Sequence, residues 1–317
     1  MQVQYAAPAS PCSNLSLIQG ETMAITASMV KELRERTGAG MMECKKALTE
    51  TDGNQDTAVE LLRKKGVASA EKKSGRIAAE GIIVHAIAAD GKSGAMVEVN
   101  SETDFVAKDD SFQTFANNVA ARILANSPDS MESLLAMPLE EGGETVEEVR
   151  SHLVGGKIGE NISVRRFERL QADDDGVISG YLHGTKIGVL VKNKGGDAGL
   201  ARDVAMHVAA SNPVCVDETE MPQDLLAKEK DIFMDQARQS GKPEAIMEKI
   251  VEGRIRKFLA ENTLVGQPFV KDPDQTVGQL LADAGASAQA YARYEVGEGL
   301  EKRSDDFVAE VMAQAQG

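Results

Sequence analysis

Two segments of this chain repeat the same pattern, and the repeat limits the possible fold more than any other feature of the sequence. Each segment has two apolar runs separated by a short turn, followed by a helical pattern that ends before a proline. The runs and helical patterns fall at 81–85, 94–99 and 111–126 in the first segment and at 176–183, 187–191 and 200–211 in the second. A strand pair followed by an amphipathic helix, present twice, predicts a duplicated core of the α+β class.

Helical periodicity predicts a three-helix module before the repeat. Thr26 or Ser28 can cap its first helix, because a hydroxyl there can accept a hydrogen bond from a free backbone N–H of the first turn. The glycines in the run 37–40 allow the tight turn to the second helix. The third helix is expected to end at Lys65, with a linker at 71–75.

A helical hairpin is predicted within the second half of the chain. Apolar residues recur at helical spacing on both sides of a turn at 240–243, which contains a glycine and a proline. The last residues predict a strand, a glycine turn at 297–299 and a helix. The predicted domains are a leader at 1–22, a three-helix module at 23–75, core subdomains at 76–155 and 156–290, a hairpin at 222–262 inside the second subdomain, and a C-terminal module at 291–317.

The first 22 residues are unlike the rest of the chain. They are small and polar, carry one charged side chain and lack the apolar core of a secretory signal. The codons for Gly20-Glu21 can spell a purine-rich ribosome-binding tract ahead of Met23, and helical periodicity begins soon afterwards. We therefore expect translation of the native protein to start at Met23, with residues 1–22 as a disordered leader.

Composition limits the classes of partner. The 317 residues include 35 Lys and Arg against 50 Asp and Glu, for a net charge of −15, and 4% are aromatic. Direct nucleic-acid binding is not expected, because it needs a basic surface for phosphates and aromatic rings for stacking. No apolar run reaches the ~18 residues that a membrane helix needs. Three widely separated cysteines form no disulfide framework. The sequence predicts a reduced, soluble, cytoplasmic protein.

Motifs for catalysis and for cofactors are weak. Asp90-Gly91-Lys92-Ser93 ends like a phosphate-binding loop, but its leading glycine is replaced by Ala86 and it joins two predicted strands. The four histidines lack metal-ligand spacing with Cys, Asp or Glu. We expect no cofactor, no metal and no enzyme activity. An enzyme stays as an alternative, because catalytic groups can converge from distant positions, and a GTP- or ATP-using enzyme built on this loop is the specific form of it.

Two patterns point to contacts with another protein. Met41 and Met42 follow a glycine turn, and adjacent helical residues diverge by about 100°, so both can hardly enter one core. The alternative places one methionine in the core beside a loosely covered neighbour. Asp104 and Phe105 follow a strand, and either project as an anchor for a partner or form a turn with Phe105 in the core. His183, at a hairpin tip, is either an exposed structural residue or a contact.

The residues around these patterns resemble the signatures of a known family. LRERTGAGMMECKKAL at 33–48 and EVNSETDFV at 98–106 closely resemble the two signatures of bacterial elongation factor Ts. The resemblance extends from about Met23 to the C-terminus, through GGKIGENI at 155–162, AMHVA at 205–209 and Phe269.

This resemblance implies a guanine-nucleotide exchange factor that binds elongation factor Tu and promotes GDP release. It implies a module like a ubiquitin-associated domain, a two-part α+β core, a coiled-coil hairpin and a C-terminal module. The contact residues that it implies are Thr103, Asp104, Phe105 and Val106, which would disturb the magnesium site of the partner, and Arg34, Met41, Met42 and His183. Self-association through the hairpin stays open. The alternative is an adaptor whose helical module binds a peptide or a ubiquitin-like protein.

Overall fold

The computed structural model describes residues 24–239 and 243–300, and its contacts divide the chain into two units between Leu62 and Arg63. The predicted leader at 1–22, most of the predicted hairpin turn and the helix predicted after residue 300 lie outside the described residues. Helices form the first unit, and the second contains all the strands of the part that the structure describes.

The first unit confirms the predicted N-terminal helical module. It contains α1 (Ala27–Thr37), α2 (Met41–Glu50) and the beginning of α3 (Gln55–Lys73). Thr26 caps α1, because its hydroxyl accepts a hydrogen bond from Met29 N at 3.3 Å. Gly38 then adopts left-handed backbone, with φ of 67°, and its N–H returns to the carbonyl of Arg34. The buried residues of its hydrophobic core are Val30, Leu33, Ala39, Cys44, Ala47, Leu48 and Ala58.

Helix α3 is longer than predicted. It continues to Lys73, so the predicted end at Lys65 and most of the predicted linker at 71–75 are wrong. The added turns are rich in alanine, glutamate and lysine, which favour the helix. Gly66 stays inside the helix at a close backbone contact, since a Cβ on Gly155 would lie 2.3 Å from Gly66 Cα.

The second unit places its strands and helices in an order that follows the predicted repeat. Its elements are β1 (Glu80–Ile87), β2 (Ser93–Ser101), α4 (Asp110–Asn126), α5 (Met131–Ala136), α6 (Val146–His152), β3 (Ile162–Gln171), β4 (Gly176–His183), β5 (Ile187–Lys194), α7 (Ala198–Ser211), α8 (Gln223–Gln239), α9 (Glu244–Asn262), β6 (Pro268–Phe269), β7 (Asp272–Thr276), α10 (Val277–Asp283) and β8 (Ser287–Glu295). The helices α8 and α9 confirm the predicted hairpin. β6, β7 and α10 were not predicted, because elements this short leave little periodic signal.

Two antiparallel sheets of three strands form the centre of this unit. Their strand orders are β1-β2-β3 and β4-β5-β8, and helices α4 and α7 follow the equivalent strand pairs. The predicted duplication and the α+β class are therefore confirmed.

The third strand of each sheet corrects the predicted domain boundaries. β3 pairs with β2, with Ile162 opposite Ser101, so the boundary predicted between 155 and 156 separates two strands of one sheet. β8 pairs with β5, with Tyr291 opposite Val191, so the boundary predicted between 290 and 291 cuts through a strand. Both strands come from distant parts of the chain, and such pairing leaves no local pattern in the sequence.

Alternating residues of the strands serve two different cores. Ile82 and Val84 of β1 pack in the core beneath α4. Ile83, between them, faces the opposite way and packs with Met96 and Leu190 between the two sheets. Helix α7 covers the outer face of the second sheet. The second unit thus has four layers, in the order helix, sheet, sheet, helix.

Buried His207 gives this unit a pH-dependent stability. Its Nδ1 accepts a hydrogen bond from Val270 N at 3.2 Å, so its Nε2–H donates to Gln267 Oε1 at 3.0 Å and the ring is neutral. Burial lowers the pKa of His207 below its ordinary value of 6.5. The unfolded chain therefore binds more protons below pH 6.5, and stability is complete above this pH and falls as the pH drops through the folded pKa.

We expect the ring signals of His207 to titrate in the folded protein with a midpoint below 6.5. NMR of the histidine rings checks this, and urea unfolding at pH 7.5 and 5.5 should give the lower free energy of unfolding at pH 5.5. A midpoint above 6.5 would contradict a neutral, buried His207 ring.

Candidate functional site

Phe105 is an exposed aromatic residue on a firmly held segment. Its side chain is 78% exposed, whereas Val106 and Ala107 beside it are buried in the first core. One helical turn, Val106–Lys108, then leads into α4. The alternative that places Phe105 in the core is therefore wrong. Val106, a contact residue implied by the family resemblance, is 8% exposed and anchors the segment.

Charged groups flank the Phe105 ring. Asp104 pairs with Lys108, with 2.8 Å between Oδ2 and Nζ, and Lys108 Nζ also lies 5.8 Å from the centre of the Phe105 ring. The hydrogen bond from Lys108 holds the pKa of Asp104 below its ordinary value, and the positive charge of Lys186 acts in the same direction. The loop therefore presents an apolar ring beside an ionised carboxylate.

The tip of the second hairpin lies at the same end of the sheets. Thr185 O accepts a hydrogen bond from Ile83 N at 2.8 Å, and Lys186 pairs with Glu80, the first residue of β1. Glu80 is in turn opposite Ser101, the last residue of β2. The charge of Lys186 reaches Asp104 because of this arrangement. His183 is exposed at this tip, with Nδ1 3.4 Å from Tyr181 Oη.

Met41 and Met42 are both exposed in the first unit, at 61% and 63%. They begin α2, and the buried positions around them belong to Ala39 and Cys44. The alternative that buries one methionine in the core is therefore wrong. Arg34 is also exposed, on α1. Exposed methionines form adaptable contact surfaces, because the side chain is flexible and polarizable.

Backbone and side-chain hydrogen bonds hold the start of the Asp104-Phe105 segment. Thr103 binds the carboxylate of Glu160, and Ser101 Oγ donates to Thr103 O at 2.9 Å. No local pattern in the sequence assigns a role to Glu160. The polar pair Glu160-Asn161 directly before a strand was the signal that could have drawn attention to it.

The weak catalytic motif has a structural explanation. Lys92 Nζ donates to Asp174 O and Gly176 O, both at 2.7 Å, and so joins the two hairpins. The loop also connects two strands, which is not the context of a phosphate-binding loop. Within residues 24–239 and 243–300, no group of three or more His, Cys, Asp and Glu could hold a metal ion. In the same part of the chain, no helix is sufficiently long and apolar for a membrane span.

An exposed aromatic ring beside charged groups, on a backbone that the core holds in place, is typical of a protein that acts by contacting another protein. Comparisons with known proteins identify the family. The family model described as elongation factor TS matches residues 102–298. Elongation factor Ts of Thioalkalivibrio sulfidiphilus (strain HL-EbGR7) is 61% identical over 295 residues, which cover 93% of this chain and 100% of the relative.

Elongation factor Ts of Methylococcus capsulatus (strain ATCC 33009 / NCIMB 11132 / Bath) is 62% identical over 294 residues, which cover 93% of this chain and 99% of the relative. A similar relative from Alkalilimnicola ehrlichii (strain ATCC BAA-1101 / DSM 17681 / MLHE-1) is 60% identical over 295 residues. The chain belongs to the elongation factor Ts family, and its role is in translation elongation.

Proposed function

We propose that this protein binds elongation factor Tu and promotes the release of GDP from it. The observation that carries the proposal is the exposed Phe105 ring next to ionised Asp104, on a loop whose next residue is anchored in the core. Family membership supports the same partner, because the name of the family places its members in elongation. A role in translation also supports a location in the cytoplasm.

The proposed mechanism needs no covalent chemistry from this chain. A GTPase holds GDP with a phosphate-binding loop and a magnesium ion that screens the phosphates. The Phe105 ring would enter between side chains of the partner, and Asp104 would disturb the order around its magnesium. The phosphates would then be less compensated, and GDP would dissociate faster. The protein would accelerate GDP release by binding alone, without making or breaking a covalent bond, and so would not be an enzyme.

Thermodynamic coupling determines how the cycle ends. If this protein binds nucleotide-free elongation factor Tu more tightly than the GDP form, nucleotide must weaken its binding by the same factor. Excess GTP would therefore displace it and leave the partner loaded. Arg34, Met41 and Met42 would add contacts from the helical module, and His183 would add a contact from the hairpin tip. These additional contacts supply affinity, while the Asp104-Phe105 segment supplies the change at the nucleotide site.

The direct test measures the release of fluorescent GDP from purified elongation factor Tu, with and without this protein. We expect the release rate to rise by about tenfold or more, which corresponds to lowering the barrier to GDP dissociation by about 1.4 kcal/mol or more. An equal concentration of serum albumin is the control. If the two proteins form a complex and the rate of GDP release is unchanged, the proposal is contradicted and the adaptor alternative is favoured.

A further inference from the structure

Hydrogen bonds in two opposite directions join the Asp104-Phe105 segment to the chain before β3. Glu160 accepts from Thr103 twice, with Thr103 N 3.0 Å from Oε2 and Thr103 Oγ1 2.9 Å from Oε1. In the opposite direction, Glu102 Oε1 accepts from Asn161 N at 2.6 Å. Each of two adjacent residues on one segment therefore binds one of two adjacent residues on the other. We call these four residues the loop brace.

The loop brace continues the pairing of β2 with β3 beyond its last pair. Ser101 and Ile162 are opposite each other at the end of the ladder, and the brace residues follow Ser101 and precede Ile162 directly. Asn161 is 4% exposed, and its Nδ2 donates to Arg76 O at 2.9 Å. The buried side chain of Asn161 thus ties the brace to the backbone at Arg76, and the last pair of β2 and β3 ties it to the sheet.

Gly159 allows the turn that presents Glu160. Its φ of 78° lies in the left-handed region, which a residue with a Cβ adopts only with strain. The carboxylate that follows is half-buried and receives hydrogen bonds from both the backbone and the hydroxyl of Thr103. Hydrogen bonds to an ionised acceptor are stronger than those between neutral groups.

Resting on the function proposed above, we propose that Glu160 is a positioning residue for Phe105. It holds the backbone at Thr103, while burial of Val106 holds the backbone on the other side. Only Asp104 and Phe105 lie between these two fixed points. The backbone at Phe105 is therefore already ordered before the partner binds. The conformational entropy of the loop is lost on folding and not on binding.

We expect Glu160→Ala to slow the stimulated release of GDP by about tenfold, the size expected when hydrogen bonds to a charged group are lost. Glu160→Gln keeps one acceptor oxygen and should have a smaller effect. Glu132→Ala, at an exposed position of α5, is the matched control for removal of a surface carboxylate and should match the unmodified protein. Thermal unfolding of each variant shows whether it is folded. If Glu160→Ala does not fold, the comparison is made with Glu160→Gln instead.

The decisive comparison repeats the substitution in a Phe105→Ala background. A positioning residue acts through Phe105, so Glu160→Ala should then change release by less than about twofold, as expected for coupled sites. Equal slowing in both backgrounds would overturn the proposal, because Glu160 would act independently. The proposal is also overturned if Phe105→Ala slows GDP release and Glu160→Ala does not. If Phe105→Ala has no effect while the unmodified protein still accelerates GDP release, this inference fails and the proposed function stands; if the unmodified protein does not accelerate release, the proposed function fails.

A structural readout is independent of the partner. In the isolated protein, the amide hydrogen of Thr103 should exchange with solvent at least about tenfold faster in Glu160→Ala than in the unmodified protein, because its acceptor is removed. Amides of α7, far along the chain, should exchange at unchanged rates. Unchanged protection at Thr103 would contradict the loop brace, whatever the GDP measurements show.

Discussion

Replacing Phe105 by alanine should slow the GDP release that this protein stimulates by about 30-fold or more, because truncating an aromatic anchor at an interface typically costs about 2 kcal/mol or more. The ring is 78% exposed, so the substitution removes little from the core of this chain. The loss should therefore appear in the action on the partner and not in folding. Stopped-flow release of fluorescent GDP, at several concentrations of the variant, measures it.

Phe112 provides a matched control for this experiment. It is a phenylalanine seven positions later, on α4, and it is fully buried in the first core. Phe112→Ala should lower the free energy of unfolding by about 3–5 kcal/mol, the usual cost of truncating a buried phenylalanine. Phe105→Ala should change it by less than about 0.5 kcal/mol, as for a surface substitution. The two variants thus separate an effect on the partner from an effect on the fold.

Two outcomes would contradict the role of Phe105. Release at the unmodified rate would show that the ring is not an anchor, even though it is exposed. A large loss of stability in Phe105→Ala would show that the ring packs against its own chain in solution, and slower release would then have a different explanation.

The sequence predicted those elements that leave a local pattern. β1, β2 and α4 recur as β4, β5 and α7 with the same periodicity, so the duplication was visible without any structure. The residues of β3 and most of β8 were placed outside the subdomains whose sheets they complete, because a strand that pairs over a long separation has no local sign of its partner. The predicted end of α3 at Lys65 stops at Gly66, but in the structure Gly66 stays inside the helix at a close contact with Gly155, and the residues after it favour the helix.

The candidate site was predictable in position but not in geometry. Asp104 and Phe105 were recognised as unusual, yet the pattern allowed the ring to be inside or outside the core. Val106, one residue later, is buried in the core beneath α4, and this leaves the Phe105 ring outside. The burial of Val106 depends on tertiary packing, which the local sequence does not show. Glu160 could not be connected with Thr103, because 57 residues separate them and the contact exists only when β3 pairs with β2.

Glu98 is the second position at which a large effect is expected, and here the effect is on stability. Its carboxylate is fully buried, and Oε2 accepts from Arg166 Nε at 2.6 Å. Oε1 accepts from Arg165 Nη1 at 3.0 Å, from Asn100 Nδ2 at 3.0 Å and from Gly297 N at 2.8 Å. β2 and β3 of the first sheet are thereby joined to the turn that follows β8 of the second.

The hydrogen bonds of Glu98 determine its charge. Burial alone would raise the pKa of this carboxyl, but the donors Gly297, Asn100, Arg166 and Arg165 outweigh it and hold the pKa below the ordinary value of 4.5. The unfolded chain therefore binds more protons near and below pH 4.5. The contribution of Glu98 to stability is complete above this pH and is lost as the pH falls through the folded pKa.

We expect Glu98→Ala to lower the free energy of unfolding by about 3 kcal/mol at pH 7, because removing one partner of a buried ion pair leaves the other charges uncompensated. The figure is at the lower end of the usual range because Arg165 and Arg166 are 22% and 29% exposed and can recover some contact with water. Urea unfolding followed by circular dichroism measures the change.

Glu298→Ala is the control, because it removes a different carboxylate from the same arginine. Glu298 Oε2 lies 3.2 Å from Arg166 Nη2, but its side chain is 47% exposed, so its loss should cost less than about 1 kcal/mol. Glu98→Gln should keep much of the packing and lose the step in stability below pH 4.5. If Glu98→Ala proves no more destabilising than Glu298→Ala, the two sheets are held together by the apolar layer of Ile83 and Leu190 alone, and the buried carboxylate contributes little to their association.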